Sequence, residues 1–438
     1  MSAKTEKVHF TVYVVFISLL LDLLAFTMIL PLLPTLMDHY RKNDSIGLYD
    51  WLSSQIRSFQ IIVGAPEKYN SVLLGGCLGS MYSFLQFIAA PIVGGISDVI
   101  GRKKVMIGCL VGISLSYICW ALSSNLLIFI FARFLGGISK GNVSLSMAII
   151  TDVSSIKTRG KGMAFVGMAF SLGFIVGPLI GAAFAVWAKQ RSGEWFVIPA
   201  LFALLLSVAD LIFFMVFFQE SLPKEKRDSN LNVTLKNSKA LINVTDLFQF
   251  TAVTGVDSNR LEELQNLGVV YFVYLFIYSG LEFTLTFLTH HVFNYNSMQQ
   301  GWMFFIIGLV MAVIQGGYVR RISQEKTKST AITGLWLIIP SFIFVGIASG
   351  PILLYIGLLF FAVSTAMVVP SVMTLASEHG NEQQKGTVMG IFRSLGALAR
   401  ALGPIFASIA FWSVGSTTTY LTGSVFLLWP VLRLSGKI

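Results

Sequence analysis

Apolar runs of about 20 residues, the length that crosses a hydrocarbon core, recur along the chain with short polar breaks. They fall near 10 to 36, 70 to 97, 104 to 123, 125 to 150, 160 to 188 and 195 to 219. Six more follow near 267 to 291, 297 to 319, 329 to 349, 351 to 376, 386 to 412 and 415 to 434. The pattern predicts an all-α membrane protein with twelve transmembrane helices in two six-helix bundles. Residues 1 to 219 form the first bundle, 220 to 266 a polar linker, and 267 to 438 the second bundle. The first run contains Asp22, Pro31 and Pro34 and lacks a small-residue cleavage site, so it reads as a retained helix rather than a signal peptide. Between the first two runs, 37 to 69 reads as a long loop of mixed charge.

Composition supports this reading. Hydrophobic residues make up 55% of the chain and charged residues 12%, against about 25% charged in a soluble domain. A soluble enzyme is excluded. Three cysteines, Cys77, Cys109 and Cys119, all in apolar runs, build neither a disulfide framework nor a metal centre. The net charge of +10 is dispersed over short loops and forms no polyanion-binding patch, which argues against a nucleic-acid partner. Loop charges also orient the chain. With a cytoplasmic amino terminus, that side holds Lys4, Lys7, Arg102, Lys103 and Lys104, then Lys157, Arg159, Lys161 and most later loop cations, ending at Arg433 and Lys437. The opposite side holds only Arg41, Lys42, Arg57, Lys68, Lys189 and Arg191, so both termini are expected in the cytoplasm. The sequon at Asn43 then faces outward as a glycosylation acceptor. Those at Asn142, Asn232 and Asn243 fall in a span or on the cytoplasmic side.

The two halves are repeats. Sliding the chain by 226 residues pairs Met147 with Met373, Asp152 with Glu378 and Arg159 with Lys385. The same shift pairs Gly177-Pro178 with Gly403-Pro404. Parallel six-helix repeats are the architecture of transporters whose halves rock about a site between them.

Between the second and third spans runs Gly94-Gly95-Ile96-Ser97-Asp98-Val99-Ile100-Gly101-Arg102-Lys103-Lys104. It resembles the signature loop of the major facilitator superfamily, in which the acid, here Asp98, latches the halves at the cytoplasmic side with Arg102 beside it. The second-half counterpart, Gly316-Gly317-Tyr318-Val319-Arg320-Arg321, lacks the acid. In the fifth span, Gly173, Gly177, Pro178 and Gly181 resemble the small-residue and proline element of drug/proton antiporters of that superfamily. Gly-x-x-x-Gly is equally the pattern of close helix packing. Asp22, the prolines 31 and 34, Tyr82, Gln86, Pro91, and Arg133 to Gly137 leading to Asp152 resemble tetracycline-efflux transporters. Residues 22 to 27, 136 to 146 and 393 to 400 are similar to the animal tetracycline transporter-like proteins. The resemblance implies the major facilitator fold and export of small organic molecules, organic anions or amphiphilic drugs.

Ionisable groups at bilayer depth are costly and normally face a cavity or a partner. Here they are Asp22, Arg133, Lys140, Asp210, Glu282, Arg393 and Arg400. In the resembled fold the sixth span is peripheral, which sets Asp210 aside, whereas the first, fourth and seventh line the pathway. Arg133 and Lys140 are seven apart, as are Arg393 and Arg400, so each pair returns to nearly one helix face. Four cations then oppose two acids, a surplus that suits an anionic cargo; the alternative is that these cations only pair with Asp22, Glu282 or loop acids and hold the halves together. Asp22 and Glu282 are the expected proton carriers. Gln86, Asn142, Tyr271, Tyr274, Tyr278 and Gln315 are candidate pocket groups, each equally suited to an inter-helix hydrogen bond. His290 and His291 are expected to face water.

The reading that follows is a secondary transporter of small organic molecules, organic anions or amphiphilic drugs, proton-coupled by alternating access in a plasma or organelle membrane and acting as a monomer. A passive facilitator and a non-transporting sensor or scaffold remain alternatives. No nucleotide-binding loop is present, no nucleophile and base pair marks an enzyme, no metal or cofactor is expected, and the energy source is a proton gradient.

Overall fold

Apolar side chains drive these segments into the bilayer, and there each backbone group must bond within its own segment, which leaves helices as the local solution. In the computed structural model, which describes residues 9–63, 66–189, 195–227, 242–253, 257–379 and 385–436, every regular element is helical. The expectations placed on Lys4, Lys7, Arg191, Lys236, Lys239, Lys437 and Asn232 lie outside the described residues. So do the side chains of Lys68, Lys157, Arg159, Lys161, Lys189, Arg320, Glu378 and Lys385.

The first pass is α1 (Phe10–Thr27) and α2 (Leu33–Asn43), joined across the Leu30–Leu32 turn at Pro31. Proline there lacks the donor an uninterrupted helix needs. An outer helix, α3 (Leu48–Val63), occupies what the sequence suggests is a loop. Then come α4 (Asn70–Ile100), α5 (Arg102–Ala121), α6 (Leu126–Ser139) with α7 (Asn142–Val153), α8 (Ile156–Lys189) and α9 (Val197–Phe217). In the linker, α10 (Val244–Gln249) is short, and α11 (Ser258–His291) begins well before the apolar run, absorbing the amphipathic stretch from Asn259 to Leu264. The second bundle continues with α12 (Ser297–Gly317), α13 (Gln324–Gly346), α14 (Pro351–His379), α15 (Lys385–Phe426) and α16 (Leu428–Leu434).

Among the described residues eleven helices are long and apolar enough to cross a membrane, the last of them Thr387–Leu434, long enough for two passes. Gly415 breaks α15 with φ 83°. On a straight helix, Phe411 and Tyr420 would stand about 14 Å apart, yet their rings meet at 6.3 Å, so the chain turns back at Gly415. Twelve passes result.

The halves meet along two seams, α4 against the first part of α15 and α8 against α12. Glycine makes both seams close. A β-carbon added at Gly301 would stand 3.2 Å from the Pro178 carbonyl oxygen, and one at Gly76 would stand 3.1 Å from that of Pro404. The two Gly-Pro elements of the repeat thus occupy equivalent places in the two seams. The close glycine packing lies at the end of the molecule away from the signature loop. Gly94 lies 18 residues, five helical turns, beyond Gly76 and on the same face of α4, and a β-carbon there meets nothing within 4 Å. Gly316 and Gly317 at the corresponding end of α12 are equally open. The seam is therefore closed at the far end and open at the basic end.

The far end is further tied by polar groups: Trp412 Nε1 donates to Asn70 Oδ1 at 2.9 Å, and His290 Nε2 meets Asp38 Oδ2 at 2.7 Å. His291 Nε2 lies 2.9 Å from Ser71 Oγ. Both histidines are half-buried against the first bundle, where the sequence reading has them facing water. Their spacing on α11 gives no hint of this, because the partners come from helices more than 200 residues away in sequence.

Gly76→Leu should wedge the far-end seam apart. On a Cys77→Ser background carrying Gly94→Cys, labelling by a membrane-impermeant thiol reagent is expected to fall several-fold when Gly76→Leu is added. Unchanged labelling in a folded variant would contradict the seam.

Candidate functional site

The fourth pass is interrupted where its cation sits. Lys140, between α6 and α7, has φ −79° and ψ 26°, outside helical geometry. Gly141 follows, and a β-carbon there would press to 2.6 Å from Val93 of α4, so the break needs glycine to let the helices meet. The interruption turns Lys140 and Asn142 towards α1. Lys140 Nζ donates to both Asp22 oxygens at 2.6 Å, and Asn142 Nδ2 donates to Asp22 Oδ2 at 2.7 Å. Asp22 and Lys140 are 2% and 3% exposed, so this pair is a buried neutralised unit rather than two free charges.

Arg133 sits one α6 stripe away. Its guanidinium carbon lies 4.1 Å from the Tyr82 ring centre and 6.0 Å from that of Phe26, rings that themselves stack at 5.3 Å. Lys140 Nζ lies 4.8 Å from the same Phe26 ring. The seven-residue spacing does place both cations on one side. Among the described residues Arg133 has no ion pair, and it is half-buried. An arginine over an aromatic face keeps its in-plane donors available.

In the second bundle, Glu282 on α11 accepts from Tyr278 Oη at 3.4 Å and is half-buried. Arg400 is exposed, and Arg393, half-buried, reaches across to the first bundle, its Nη2 3.8 Å from Met163 Sδ. Neither arginine forms an ion pair among the described residues. Gln86 and Gln315 are half-buried. Tyr278 stacks on Phe361 at 4.7 Å, and Tyr274 is wholly buried with its hydroxyl 3.5 Å from Ser364, so these tyrosines support the bundle before they contact anything else.

The signature loop is pinned within its own bundle. Arg102 bridges Asp98 at 2.6 Å and Asp152 at 2.9 Å, and also donates to Ser97. Glu220, just past α9, accepts from the backbone N–H groups of Arg102 and Lys103, capping the start of α5 where unpaired donors and the helix dipole favour an anion. Gly101 has φ 108°, and a β-carbon there would lie 2.5 Å from Glu220 Oε2, so both backbone and space demand glycine. Sequence reasoning passes over Glu220, although it is the first acid after the sixth span.

Gly173, Gly177 and Gly181 face α1. Thr27 Oγ1 donates to the Gly173 carbonyl at 2.8 Å, and β-carbons at the three glycines would strike Leu23, Thr27 and Met28. The element packs the fifth pass onto the helix that carries Asp22, with Pro178 directed at α12. Asn43 ends α2, exposed at the far end. Asp210, set aside on sequence grounds, is wholly enclosed on α9, and among the described residues neither carboxyl oxygen has a hydrogen-bond partner.

Comparison with known proteins agrees with this architecture. Residues 15–404 match the Major Facilitator Superfamily. The chain is 45% identical over 430 residues to human major facilitator superfamily domain-containing protein 10, covering 97% of this chain and 92% of that protein. It is 25% identical to the class B tetracycline resistance protein of Escherichia coli, covering 90% and 86%. The crystal structure of the human organic anion transporter MFSD10 (TETRAN) superposes with a TM-score of 0.80 at 44% identity, covering 97% of this chain and 98% of that one. The repeated six-helix bundles, the filled signature loop and these likenesses together place the chain in the major facilitator superfamily, as a multi-pass membrane transporter and not an enzyme.

Proposed function

We propose that the protein moves small organic anions by alternating access, coupled to protons, with both termini in the cytoplasm and the open end of the cleft facing that side. The observation that carries the anionic preference is Arg133, a guanidinium on an aromatic platform with no acidic partner among the described residues, beside a Lys140 already neutralised by Asp22. Arg393 and Arg400 add two further cations from the other half that form no ion pair among the described residues, so a carboxylate-bearing cargo offsets positive charge there. The half-buried Phe26 ring, stacked on Tyr82 beneath Arg133, suits the apolar part of such a molecule. The human relative described as an organic anion transporter supports the same class of cargo. The positive signature-loop end supports the cytoplasmic assignment.

Proton coupling rests on Asp22 and Glu282, carboxyls at membrane depth in the opening passes of the two halves. Binding an anion near Arg133 raises negative charge beside the Asp22–Lys140 pair, which favours proton uptake there. Asp98, pinned to Arg102 while the basic end is open, is available to cross to the second half when that end closes. The protein functions as a monomer carrying small organic molecules, with the proton gradient as its energy source.

Two measurements in proteoliposomes check these roles. Arg133→Ala should lower organic-anion flux about 10- to 100-fold, the loss of a charge-assisted hydrogen bond worth about 1.5–3 kcal/mol, while leaving the protein monodisperse; undiminished flux removes Arg133 from the binding site. Asp22→Asn should abolish accumulation driven by a pH gradient while retaining exchange of labelled for unlabelled anion. Uphill transport unchanged in that variant would take Asp22 out of coupling.

A further inference from the structure

The wholly enclosed charges around Asp22 do not balance, with Arg133 half-buried on its aromatic platform outside them. One ammonium, Lys140, is shared between both oxygens of Asp22. A second carboxyl, Asp210, lies in the same interior at 0% exposure, with neither oxygen hydrogen-bonded among the described residues. Its helix, α9, packs on α5 and α1 and to a lesser extent on α8. From α1 the polar neighbour is Ser18, which is followed four residues later by Asp22 on the same helix face. From α5, Ser114 bonds Ser207 of α9 at 2.8 Å, and Cys109 lies within electrostatic reach of Asp22. Lys140 approaches from the fourth pass. Beside the pair, Asn142 Oδ1 is also enclosed without a partner.

Two carboxyls facing one ammonium at bilayer depth reach neutrality only with one proton added, because an uncompensated buried carboxylate is strongly disfavoured. We infer that Asp22, Lys140 and Asp210 form a buried triad that holds one exchangeable proton, with Asp210 the group on which it rests while Lys140 is engaged by Asp22. Asp210 is thereby a positioning residue: it need not touch cargo, and its charge state answers to whether Asp22 keeps the ammonium. When Lys140 is drawn away from Asp22, Asp22 takes up the proton; when Lys140 turns to Asp210, Asp210 gives it up. Ser18, next to Asp210 and one turn before Asp22 on α1, offers a hydroxyl through which a proton can pass. This deepens the proton-coupled reading above by naming where the proton resides, and its test needs no substrate.

The experiment is infrared difference spectroscopy of the full chain in lipid nanodiscs at neutral pH. Wild type minus Asp210→Asn should show the C=O stretch of one neutral carboxyl. On the Asp22→Asn background, where Lys140 has only Asp210 left to neutralise it, the same subtraction should show no such band. Neutral carboxyls elsewhere are common to each pair and cancel. Lys140→Met gives an independent check should Asp22→Asn fold poorly: Asp22 and Asp210 both become neutral, and Lys140→Met minus wild type shows one added carboxyl band. A wild-type difference without the band, or a band that persists on the Asp22→Asn background, overturns the triad. Gradient-driven flux separates this from the coupling proposal. Bands that behave as stated in a protein whose transport ignores the pH gradient uphold the triad and refute coupling.

Discussion

Neutralising charge inside the bilayer is the constraint on which this structure turns. Asp22 and Lys140 are almost wholly enclosed and meet at 2.6 Å, with Asn142 giving Asp22 Oδ2 a second donor. A buried pair of this kind brings little stability over an apolar replacement but is strongly destabilising when one partner is lost. The break in the fourth pass at Lys140, the glycine that follows it, and the Gly173, Gly177 and Gly181 face that seats the fifth pass against α1 all serve to bring those groups together. Once Lys140 is spent on Asp22, Arg133 is left half-buried beside the pair, without an ion pair among the described residues.

The same logic connects the site to the conformational cycle. Glycine lets α4 and α8 lie against the opposite bundle at the far end, where Asp38–His290, Ser71–His291 and Asn70–Trp412 add polar ties. At the other end Gly94 faces open space, and Arg393 spans towards Met163. Arg102, Asp98, Asp152 and Glu220 meanwhile lock the signature loop within the first bundle. Each end has its own set of contacts, so closing one and opening the other exchanges polar ties rather than stretching a single interface.

Hydropathy alone reveals the twelve passes and the repeat, because a span declares itself over about 20 residues, and a Gly-Pro step shared by both halves survives as a register mark. The two-cation stripe of Arg133 and Lys140 is legible for the same reason: seven residues fix a face even across a small break. What spacing cannot convey is rotation of one helix against another. Whether Lys140 turns to Asp22, His290 to Asp38, or Asp210 into the bundle depends on packing between helices distant in sequence, and a change of one residue swings a side chain by about 100°. Asp210 is the instructive case, since a peripheral span can still direct one residue inward. The α3 helix shows a different limit: mixed polarity from 48 to 63 reads as loop until the neighbouring α2, α6 and α15 give it a surface to lie on.

The central claim is that the cleft carries a surplus of positive charge matched to an anionic cargo. The most direct measurement is a comparison, in proteoliposomes of the wild-type protein, of uptake of an aromatic carboxylate with uptake of its neutral amide and of the corresponding amine. The account predicts transport of the carboxylate well above both others. Preferential transport of the amine would contradict it.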